Sequence, residues 1–159
     1  MAKVASLCLA FFSIIAFSLS VNMGIDIGGM LFETEDGSQT WAICGEYYAE
    51  IEFYHVVVGL GGFYFPQKAP SPYNLEGFTL PYPYAGVSFE LQGFKPYVTF
   101  LPLIPQTLEE GALISVVSAG LRKEIADKIS VNIRFMGMVN FKGFEMSLPG
   151  VYAGVGYTF

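Results

Sequence analysis

The sequence has little charge, few cationic residues and almost no cysteine or histidine. Charged residues make up 14% of its 159 positions, against about 25% in typical soluble domains. That shortage excludes a disordered acidic segment and argues against an ordinary soluble domain. The 8 basic and 14 acidic residues give a net charge of -6. Because no basic patch is present to neutralise phosphates, a nucleic-acid partner is excluded.

The scarcity of cysteine and histidine limits the available chemistry. Cys8 lies in the N-terminal apolar run and Cys44 stands alone, so the sequence offers neither a disulfide framework nor a C-x-x-C metal pair. His55 is the only histidine, and one histidine with one cysteine does not make a zinc site. The acidic segment ETEDG at 33–37 lacks the complete ligand spacing of a calcium loop. We therefore expect no metal and no cofactor.

Residues 1–20, MAKVASLCLAFFSIIAFSLS, have the organisation of an export signal. Lys3 supplies a short positive region, the apolar stretch 7–17 follows, and Ser18-Leu19-Ser20 offers a small-x-small cleavage pattern. The alternative is an uncleaved membrane helix, because the uncharged run 4–25 is long enough to cross the hydrocarbon core. The glycine-rich alternating sequence that follows favours a signal that is cleaved.

The remaining domain, residues 21–159, contains no uninterrupted apolar run of about 18 residues, so helical spans are excluded there. Apolar residues instead recur at every second position. One face carries large aliphatic and aromatic residues, whereas the other carries glycine, small polar residues and isolated charges. A soluble barrel would reverse these faces, while a barrel in lipid needs large apolar residues outside and a narrow interior. The clearest alternating segments are 21–32, 41–53, 129–136 and 151–159.

Eight segments have this character, which is the even number expected of a membrane barrel. Long and short connections alternate, so all the long loops would lie at one rim. The sequence therefore predicts an all-β, eight-stranded antiparallel up-and-down transmembrane β-barrel. No turn signal marks the boundary between the second and third strands, which leaves a β-bulge or one bent strand as alternatives. The predicted strands are 21–32, 41–50, 53–65, 84–92, 94–101, 112–122, 129–139 and 151–159; the long loops are 33–40, 66–83, 102–111 and 140–150; the short turns are 51–53, 93 and 123–128.

Three stretches resemble bacterial outer-membrane barrels. SAGLRKEIADKISVNIRF is similar to a strand–turn–strand hairpin of the small OmpA and OmpX barrel families, and FKPYVTF resembles one of their strands. The final VYAGVGYTF resembles the C-terminal assembly signal of such barrels. The resemblance implies a place in a bacterial outer membrane, contact with outer-membrane lipid, and recognition of the C-terminal strand by the barrel assembly machinery. The residues that match the assembly signal are Val151, Ala153, Val155, Tyr157 and Phe159.

Eight strands leave a barrel interior just wide enough for side chains and too narrow for an open channel. Charges inside it must pair, since an unpaired buried charge is costly. The alternation points Asp26, Glu46 and Glu90 inward, with Lys95 and Arg134 as the available cations. We expect a salt-bridge network that plugs and rigidifies the barrel. A gated proton or ion path through the same groups is the alternative.

The filled interior and the resemblance favour a structural or surface-interaction role without catalysis. One alternative is an enzyme that acts on outer-membrane lipid, but lipid A deacylases place a serine two residues after their histidine, where this chain has Val57 after His55. The other alternative is a soluble secreted ligand-binding barrel of the lipocalin kind. No residue identifies a partner for the surface loops. Aromatic residues expected at the membrane interfaces are Trp41, Tyr47, Tyr64, Tyr84, Tyr157 and Phe159.

Overall fold

The computed structural model describes residues 19–101 and 114–159. The predicted signal up to residue 18 and the predicted loop 102–111 lie outside the described residues. Within the described ranges, no helix is long and apolar enough to cross a membrane. The strands are β1 (Leu19–Glu33), β2 (Gln39–Phe53), β3 (Val56–Phe65), β4 (Gly77–Phe78), β5 (Tyr82–Ser88), β6 (Phe94–Phe100), β7 (Ile114–Ala126), β8 (Ile129–Asn140) and β9 (Glu145–Thr158).

The sheet closes on itself. β1 pairs antiparallel with β2 along one edge and with β9 along the other. The other neighbours follow the chain order, except that β3 pairs with β5 and the two-residue β4 joins only the end of β3. Eight strands therefore form the wall, and the predicted all-β, closed, eight-stranded antiparallel barrel is confirmed. Within the described ranges, closure gives each of the eight wall strands a hydrogen-bonded neighbour on both sides.

Successive connections lie at alternate ends of the barrel, which we call the short-turn end, after the two-residue turns 54–55 and 127–128, and the long-loop end, after the connection 66–81. The undecided boundary between the second and third strands is a two-residue turn, in which Phe53 pairs with Val56 and Tyr54 has a φ of 54°. The segment is therefore two strands and not one bent strand. Connections 54–55, 89–93 and 127–128 lie at the short-turn end, and connections 34–38, 66–81 and 141–144 lie at the long-loop end.

The strand predicted at 84–92 is shorter than expected, since β5 ends at Ser88. Ser88 pairs with Tyr97 of β6, so the next rung brings Phe89 opposite Pro96. Phe89 donates its N–H to the Pro96 carbonyl at 3.0 Å, but proline has no N–H with which to complete the rung. The regular alternation of inward and outward residues stops at this point.

The loop predicted at 140–150 is also shorter, since β9 covers its second half. The register between β8 and β9 shifts between Met136 and Met138. A β-bulge of this kind places an extra residue in one strand. It accommodates Leu148, at a φ of 50°, and Pro149 inside β9. Pro149 and Gly150, which indicate a loop in the sequence, therefore lie within β9 of the barrel wall.

Large apolar side chains cover the outer wall of the barrel, whereas polar and charged side chains fill its interior from the middle to the short-turn end. On β1, Ile25 and Ile27 are 62% and 69% exposed, whereas Asp26 between them is fully buried. On β8, Ile133 is exposed and Arg134 is buried. This arrangement is the reverse of a soluble barrel, whose interior is apolar, and it matches the distribution of a barrel wall in lipid.

Glycines on the inner face make room for the tyrosine rings that fill the barrel. A methyl group at these glycines would overlap an aromatic ring from a neighbouring strand. Tyr84, which the sequence placed at a membrane interface, is one of these inward residues and is 4% exposed. That prediction was wrong because Tyr84 lies opposite Gly59 of β3, and its ring occupies the space that this glycine leaves on the inner face. The glycine–tyrosine contacts are Gly24 with Tyr48, Gly59 with Tyr84, and Gly120 with Tyr97.

Candidate functional site

Charged side chains converge inside the barrel, from its middle to the short-turn end. We call them the interior charge network. Each occupies an inward position set by the alternation of its strand, so the network needs no loop to position it. Its members are Asp26 of β1, Glu46, Glu50 and Glu52 of β2, Lys95 of β6, Arg122 of β7 and Arg134 of β8.

Arg134 is the centre of the network. Its Nη1 lies 2.6 Å from Glu46 Oε1, and its Nη2 lies 3.3 Å from Asp26 Oδ2. Its Nε donates a hydrogen bond to the Tyr97 hydroxyl at 3.0 Å, and its guanidinium lies 4.9 Å from the centre of the Tyr48 ring. One arginine thus joins strands from opposite sides of the barrel, through contacts that a guanidinium's fixed fork of donors favours.

Two neutral polar side chains also contact the carboxylates that face Arg134. Tyr82 donates its hydroxyl to Glu46 Oε1 at 2.8 Å. Asn132 donates one amide hydrogen toward Asp26 Oδ2 at 3.3 Å and another to the Tyr48 hydroxyl at 3.1 Å. These bonds hold one oxygen of each carboxylate, whereas among the described residues the buried Asp26 Oδ1 and Glu46 Oε2 have no hydrogen-bond partner.

A second pair lies closer to the short-turn end. Arg122 Nη2 lies 2.5 Å from Glu50 Oε1, and Tyr84 donates its hydroxyl to Glu50 Oε2 at 3.0 Å. The Arg122 guanidinium also lies 5.8 Å from the Tyr48 ring and 5.4 Å from the Tyr97 ring. The two arginines therefore share a pair of aromatic rings, which connects the second pair to the first.

A third pair lies at the short-turn rim. Lys95 Nζ donates to Glu52 Oε2 at 3.0 Å, and Ser88 donates its hydroxyl to Glu52 Oε1 at 2.5 Å. The Lys95 side chain is 31% exposed, whereas Glu52 is 6% exposed. In the network as defined, four carboxylates face three cations, and Arg134 balances the difference by serving two of the carboxylates.

The structure brings together four of the five charged residues that the sequence placed inside. Asp26 and Glu46 contact Arg134, and Lys95 contacts the acidic side chain of Glu52. Glu90 does not join them: it lies beyond the end of β5 and is exposed at the rim. Its inward assignment was wrong because the alternation of β5 does not extend past Ser88.

The sequence analysis left three members of the network out of its list. Glu50 and Glu52 follow Glu46 at every second position of β2, so the alternation alone would have found them. Arg122 shares its parity with Ser118 and Gly120 on β7, and both lie on the inner face. Assigning every residue of each strand to the inner or the outer face would therefore have identified all three residues.

The long-loop half of the interior is filled by apolar side chains, which we call the apolar plug. Phe32 contacts Tyr73 of the 66–81 connection, with ring centres 5.0 Å apart. Ala69 from the same connection is 2% exposed, so this loop folds into the barrel mouth. Cys44 Sγ lies 3.3 Å from the Tyr152 hydroxyl. The buried members of the plug are Met30, Phe32, Cys44, Phe65, Ala69, Met136 and Tyr152.

The space between the network and the plug is almost completely occupied. The cavity there has a volume of about 10 Å³, which is room for about one water molecule. The described part of the interior therefore offers no open passage at this level. The cavity is lined by Tyr82, Tyr84, Thr99, Ser118, Arg134 and Met136, among others.

The remaining predicted residues lie on the outer wall or at the short-turn rim. Val151, Ala153, Val155, Tyr157 and Phe159 are exposed on the outer face of β9 and at its end, where β9 closes the barrel against β1. His55 lies in the turn after β2. Its Nδ1 is 3.1 Å from the Ser88 carbonyl oxygen, and its ring stacks on Phe89 with centres 5.6 Å apart.

The chain matches no protein-family model and no curated protein sequence. Two solved structures have a similar fold. One comes from the de novo design of transmembrane β-barrels: it is 10% identical, with a TM-score of 0.51, over 88% of this chain and 95% of the designed one. The other is the crystal structure of neisserial surface protein A (NspA): it is 12% identical, with a TM-score of 0.49, over 89% of this chain and 96% of that one. At 10% identity the likeness to the designed barrel concerns the fold alone.

Proposed function

We propose that this protein is exported and spans a bacterial outer membrane, where it serves a structural or surface-interaction role with a filled interior. The observation that carries the proposal is the reversed polarity of the barrel. Ile27 and Ile43 on the outer wall are 69% and 70% exposed, whereas Glu46 and Arg134 inside are 1% and 2% exposed. A wall of this kind is stable only where its outer surface meets lipid.

Exposed aromatic residues at both ends of the barrel support the membrane location. Trp41, Tyr64 and Phe78 are 59%, 41% and 74% exposed near the long-loop end. Tyr157 and Phe159 are 42% and 67% exposed near the short-turn end. Aromatic girdles of this kind lie at the two interfaces of membrane barrels. By the same pattern, the short turns would face the periplasm and the long loops the exterior.

A closed interior supports a structural role over that of a pore. The interior charge network and the apolar plug occupy successive levels of the barrel, and the 66–81 connection adds Ala69 and Tyr73 to the plug. A soluble barrel of the lipocalin kind needs an apolar cavity for its ligand. In this chain the corresponding interior holds ion pairs and aromatic rings.

We propose no catalytic role, because the lone histidine has no nucleophile as a hydrogen-bond partner among residues 19–101 and 114–159. His55 contacts the Ser88 backbone carbonyl, while the Ser88 hydroxyl donates to Glu52. A nucleophilic site needs a hydrogen bond between the base and the nucleophile's hydroxyl. An enzyme of outer-membrane lipid would produce a mass shift in lipid A on expression, and that shift would vanish in His55→Ala. Detection of both effects would contradict this part of the proposal.

The barrel assembly machinery is the proposed partner of the C-terminal strand. Tyr157 and Phe159 are both exposed, and their rings contact each other edge-on at 4.9 Å. Both side chains therefore lie on the outer surface, where a receptor can contact them. We expect Phe159→Ser to reduce the yield of folded barrel in cells, measured by heat-modifiable mobility, while refolding of the same variant in detergent stays near wild type. Equal losses in both settings would point to stability and not to recognition.

Two measurements test the proposed function as a whole. The protein should appear in the outer-membrane fraction and resist SDS until it is boiled, so that its gel mobility changes on heating. Release into the soluble fraction without detergent would contradict the membrane location. In planar bilayers the purified barrel should show no large, stable conductance. A persistent open channel from pure protein would contradict the filled interior.

A further inference from the structure

The outer wall of the barrel has a depression where β3 leaves the sheet. The β2–β3 pairing ends where Gly45 lies opposite Tyr64, although β2 begins at Gln39. Beyond Phe65 the chain turns into the barrel mouth, where Ala69 is buried in the apolar plug. Within the described ranges, the first residues of β2 therefore have no partner on the β3 side, and the wall is open there over a volume of about 390 Å³.

Gly45 forms the floor of this depression, because no side chain covers it. Two other glycines on the outer face of neighbouring strands are covered by aromatic rings. The Trp41 ring lies over Gly29 of β1, and a methyl group at Gly62 of β3 would overlap the Tyr47 ring. A methyl group at Gly45 would meet no heavy atom of another strand nearer than 3.5 Å, which is ordinary van der Waals contact. The space over Gly45 is therefore open to an occupant from outside the chain.

The depression is lined mainly by apolar side chains and continues along the outer wall. A second depression, of about 660 Å³, lies over Ala49 and shares Ile25 and Tyr47 with the first. We call the two together the wall groove. Because the groove is apolar and lies on the surface that faces hydrocarbon in the proposed membrane location, a linear acyl chain fits it. The side chains that line its long-loop end include Ile27, Ile43, Tyr64, Pro66 and Phe78.

A lysine lies close to the long-loop end of the wall groove. Pro66 lines the groove, and Lys68 follows two residues later in the same connection. Lys68 is exposed, and among the described residues no carboxylate forms an ion pair with it. The exposed rings of Trp41 and Tyr64 place this end of the groove at the membrane interface. An anionic headgroup at that level would meet the Lys68 ammonium group while its acyl chain follows the wall.

We propose that the wall groove binds one membrane lipid with an anionic headgroup. An acyl chain lies over Gly45, and the headgroup phosphate pairs with Lys68. The inference rests on the proposed membrane location and adds to it a defined site and a class of lipid. Elsewhere on the wall a lipid chain meets side chains from one side, whereas in the groove it has dispersion contacts with the floor and with the flanking rings.

The first test uses the fluorescence of Trp41, the only tryptophan of the sequence. Trp41 lies two residues from Ile43 on the outer face of β2. The full chain is placed in vesicles of phosphatidylcholine and phosphatidylglycerol with the same acyl chains, with bromine on one lipid at a time to quench the neighbouring tryptophan. We expect about a fivefold preference for phosphatidylglycerol around Trp41, and a smaller preference at high salt. Equal quenching by the two brominated lipids would overturn the proposal.

Matched lysine variants test the headgroup contact. Lys68→Gln removes the cation at the wall groove, whereas Lys142→Gln removes an exposed cation from another connection at the same end of the barrel. We expect Lys68→Gln to abolish the preference for phosphatidylglycerol and Lys142→Gln to retain it. Both lysines are exposed, so both variants should fold normally. An unchanged preference in Lys68→Gln, with the protein still in the membrane fraction, would contradict the site and leave the membrane location standing.

A second pair of variants tests the acyl-chain contact. Gly45→Leu fills the floor of the wall groove, and its backbone position accepts a side chain without overlap. Ala119→Leu adds bulk on the outer face of β7, where Ala119 is exposed opposite Phe135. We expect Gly45→Leu to reduce the quenching of Trp41 by brominated phosphatidylglycerol to the level of phosphatidylcholine, and Ala119→Leu to leave it unchanged. Equal quenching in the two variants would overturn the proposal, and so would a cross-linked dimer that Gly45→Leu dissociates, since a second copy would then occupy the groove.

Discussion

The two halves of the barrel interior are filled by different kinds of interaction. In the short-turn half, Arg134 and Arg122 hold carboxylates from strands across the barrel. In the long-loop half, Phe32 and Phe65 pack edge-on, with ring centres 6.1 Å apart. Ion pairs are directional, and each partner left alone is an uncompensated charge. Apolar contacts are not directional, and losing one costs only its burial and the cavity it leaves.

The change from charged to apolar side chains occurs between two successive inward-facing residues of a strand. On β2, Cys44 belongs to the apolar plug and Glu46 to the interior charge network. On β8, Met136 and Arg134 mark the same border. The same strands therefore carry both the interior charge network and the apolar plug, and the identity of the inward side chains alone determines which of the two forms. The halves should differ sharply in their tolerance of substitution.

Removal of the central arginine should have the largest effect. Arg134→Met leaves Asp26 and Glu46 buried without their cation, and we expect a loss of about 3 to 5 kcal/mol in the free energy of unfolding. Urea titration in detergent micelles measures it, with the fluorescence of Trp41, the only tryptophan of the sequence, as the reporter. Arg134→Lys should also be costly, because an ammonium group cannot reproduce the fork of donors.

A compensated variant keeps this prediction testable if Arg134→Met does not fold. The triple variant Asp26→Asn, Glu46→Gln, Arg134→Met removes both carboxylates together with the arginine. It should recover most of the lost stability, because no uncompensated charge remains. If the triple variant is no more stable than the single one, the loss comes from packing and the contrast between the two halves fails.

A conservative change in the apolar plug should have a smaller effect. Phe65→Leu keeps an apolar side chain in the same space, and we expect a loss of about 1.5 kcal/mol or less in the same urea titration. Phe65 is 1% exposed, so its burial matches that of Arg134 and the two results compare directly. A loss as large as that of Arg134→Met would show that the plug is no more tolerant than the network.

The rim pair, Lys95 with Glu52, should contribute least among the four ion pairs of the interior charge network. Lys95 is 31% exposed, and in Lys95→Met the remaining Glu52 keeps the hydroxyl of Ser88. We expect a loss of at most about 1 kcal/mol, as for other partly exposed pairs. The loss should shrink at high salt, because solvent ions screen this pair. The prediction would be contradicted if Lys95→Met lost as much unfolding free energy as Arg134→Met and the loss did not depend on salt concentration. Burial of the ion pair would then not determine its contribution.

Much of this contrast was visible in the sequence, because a strand's period of two fixes which side chains point inward. Ile25, Asp26 and Ile27 are assigned correctly by alternation alone, and so is Arg134. Glu90 was misplaced because the end of β5 depends on Pro96 in the neighbouring strand. Such an ending cannot be read without knowing which residues lie opposite each other.

The pairing inside the barrel could not be predicted in the same way. Glu50 of β2 reaches Arg122 of β7, and those strands are not neighbours in the sheet. Which charges meet across the interior depends on the stagger of the strands around the barrel, which the alternation does not contain. The composition of the network was therefore accessible from sequence, whereas its contacts required the three-dimensional structure.

The smallest effect is expected at the long-loop rim, where polar contacts are local and exposed. Asp36 Oδ1 accepts hydrogen bonds from the Thr34 hydroxyl at 2.5 Å, the Ser38 hydroxyl at 2.8 Å and the Ser38 N–H at 3.0 Å. These bonds lower the pKa of Asp36 from 3.8 to about 2, and the hydrogen bond from Thr34 has the largest effect. Since the folded pKa lies below the unfolded one, the loop is stabilised above about pH 4 and loses this contribution as the pH falls toward 2.

Substitution of Thr34 tests whether the hydrogen bonds of the long-loop rim affect the global stability of the barrel. Thr34→Val should raise the pKa of Asp36 toward 3.8, measured by NMR titration of its side-chain carboxyl carbon. Thr40→Val, at the same end but without a hydrogen bond to Asp36, is the matched control and should leave the titration unchanged. Neither variant should move the urea midpoint, because exposed loop contacts contribute little to global unfolding. A shifted midpoint in Thr34→Val would mean that the plug and its covering loops unfold as one unit with the rim.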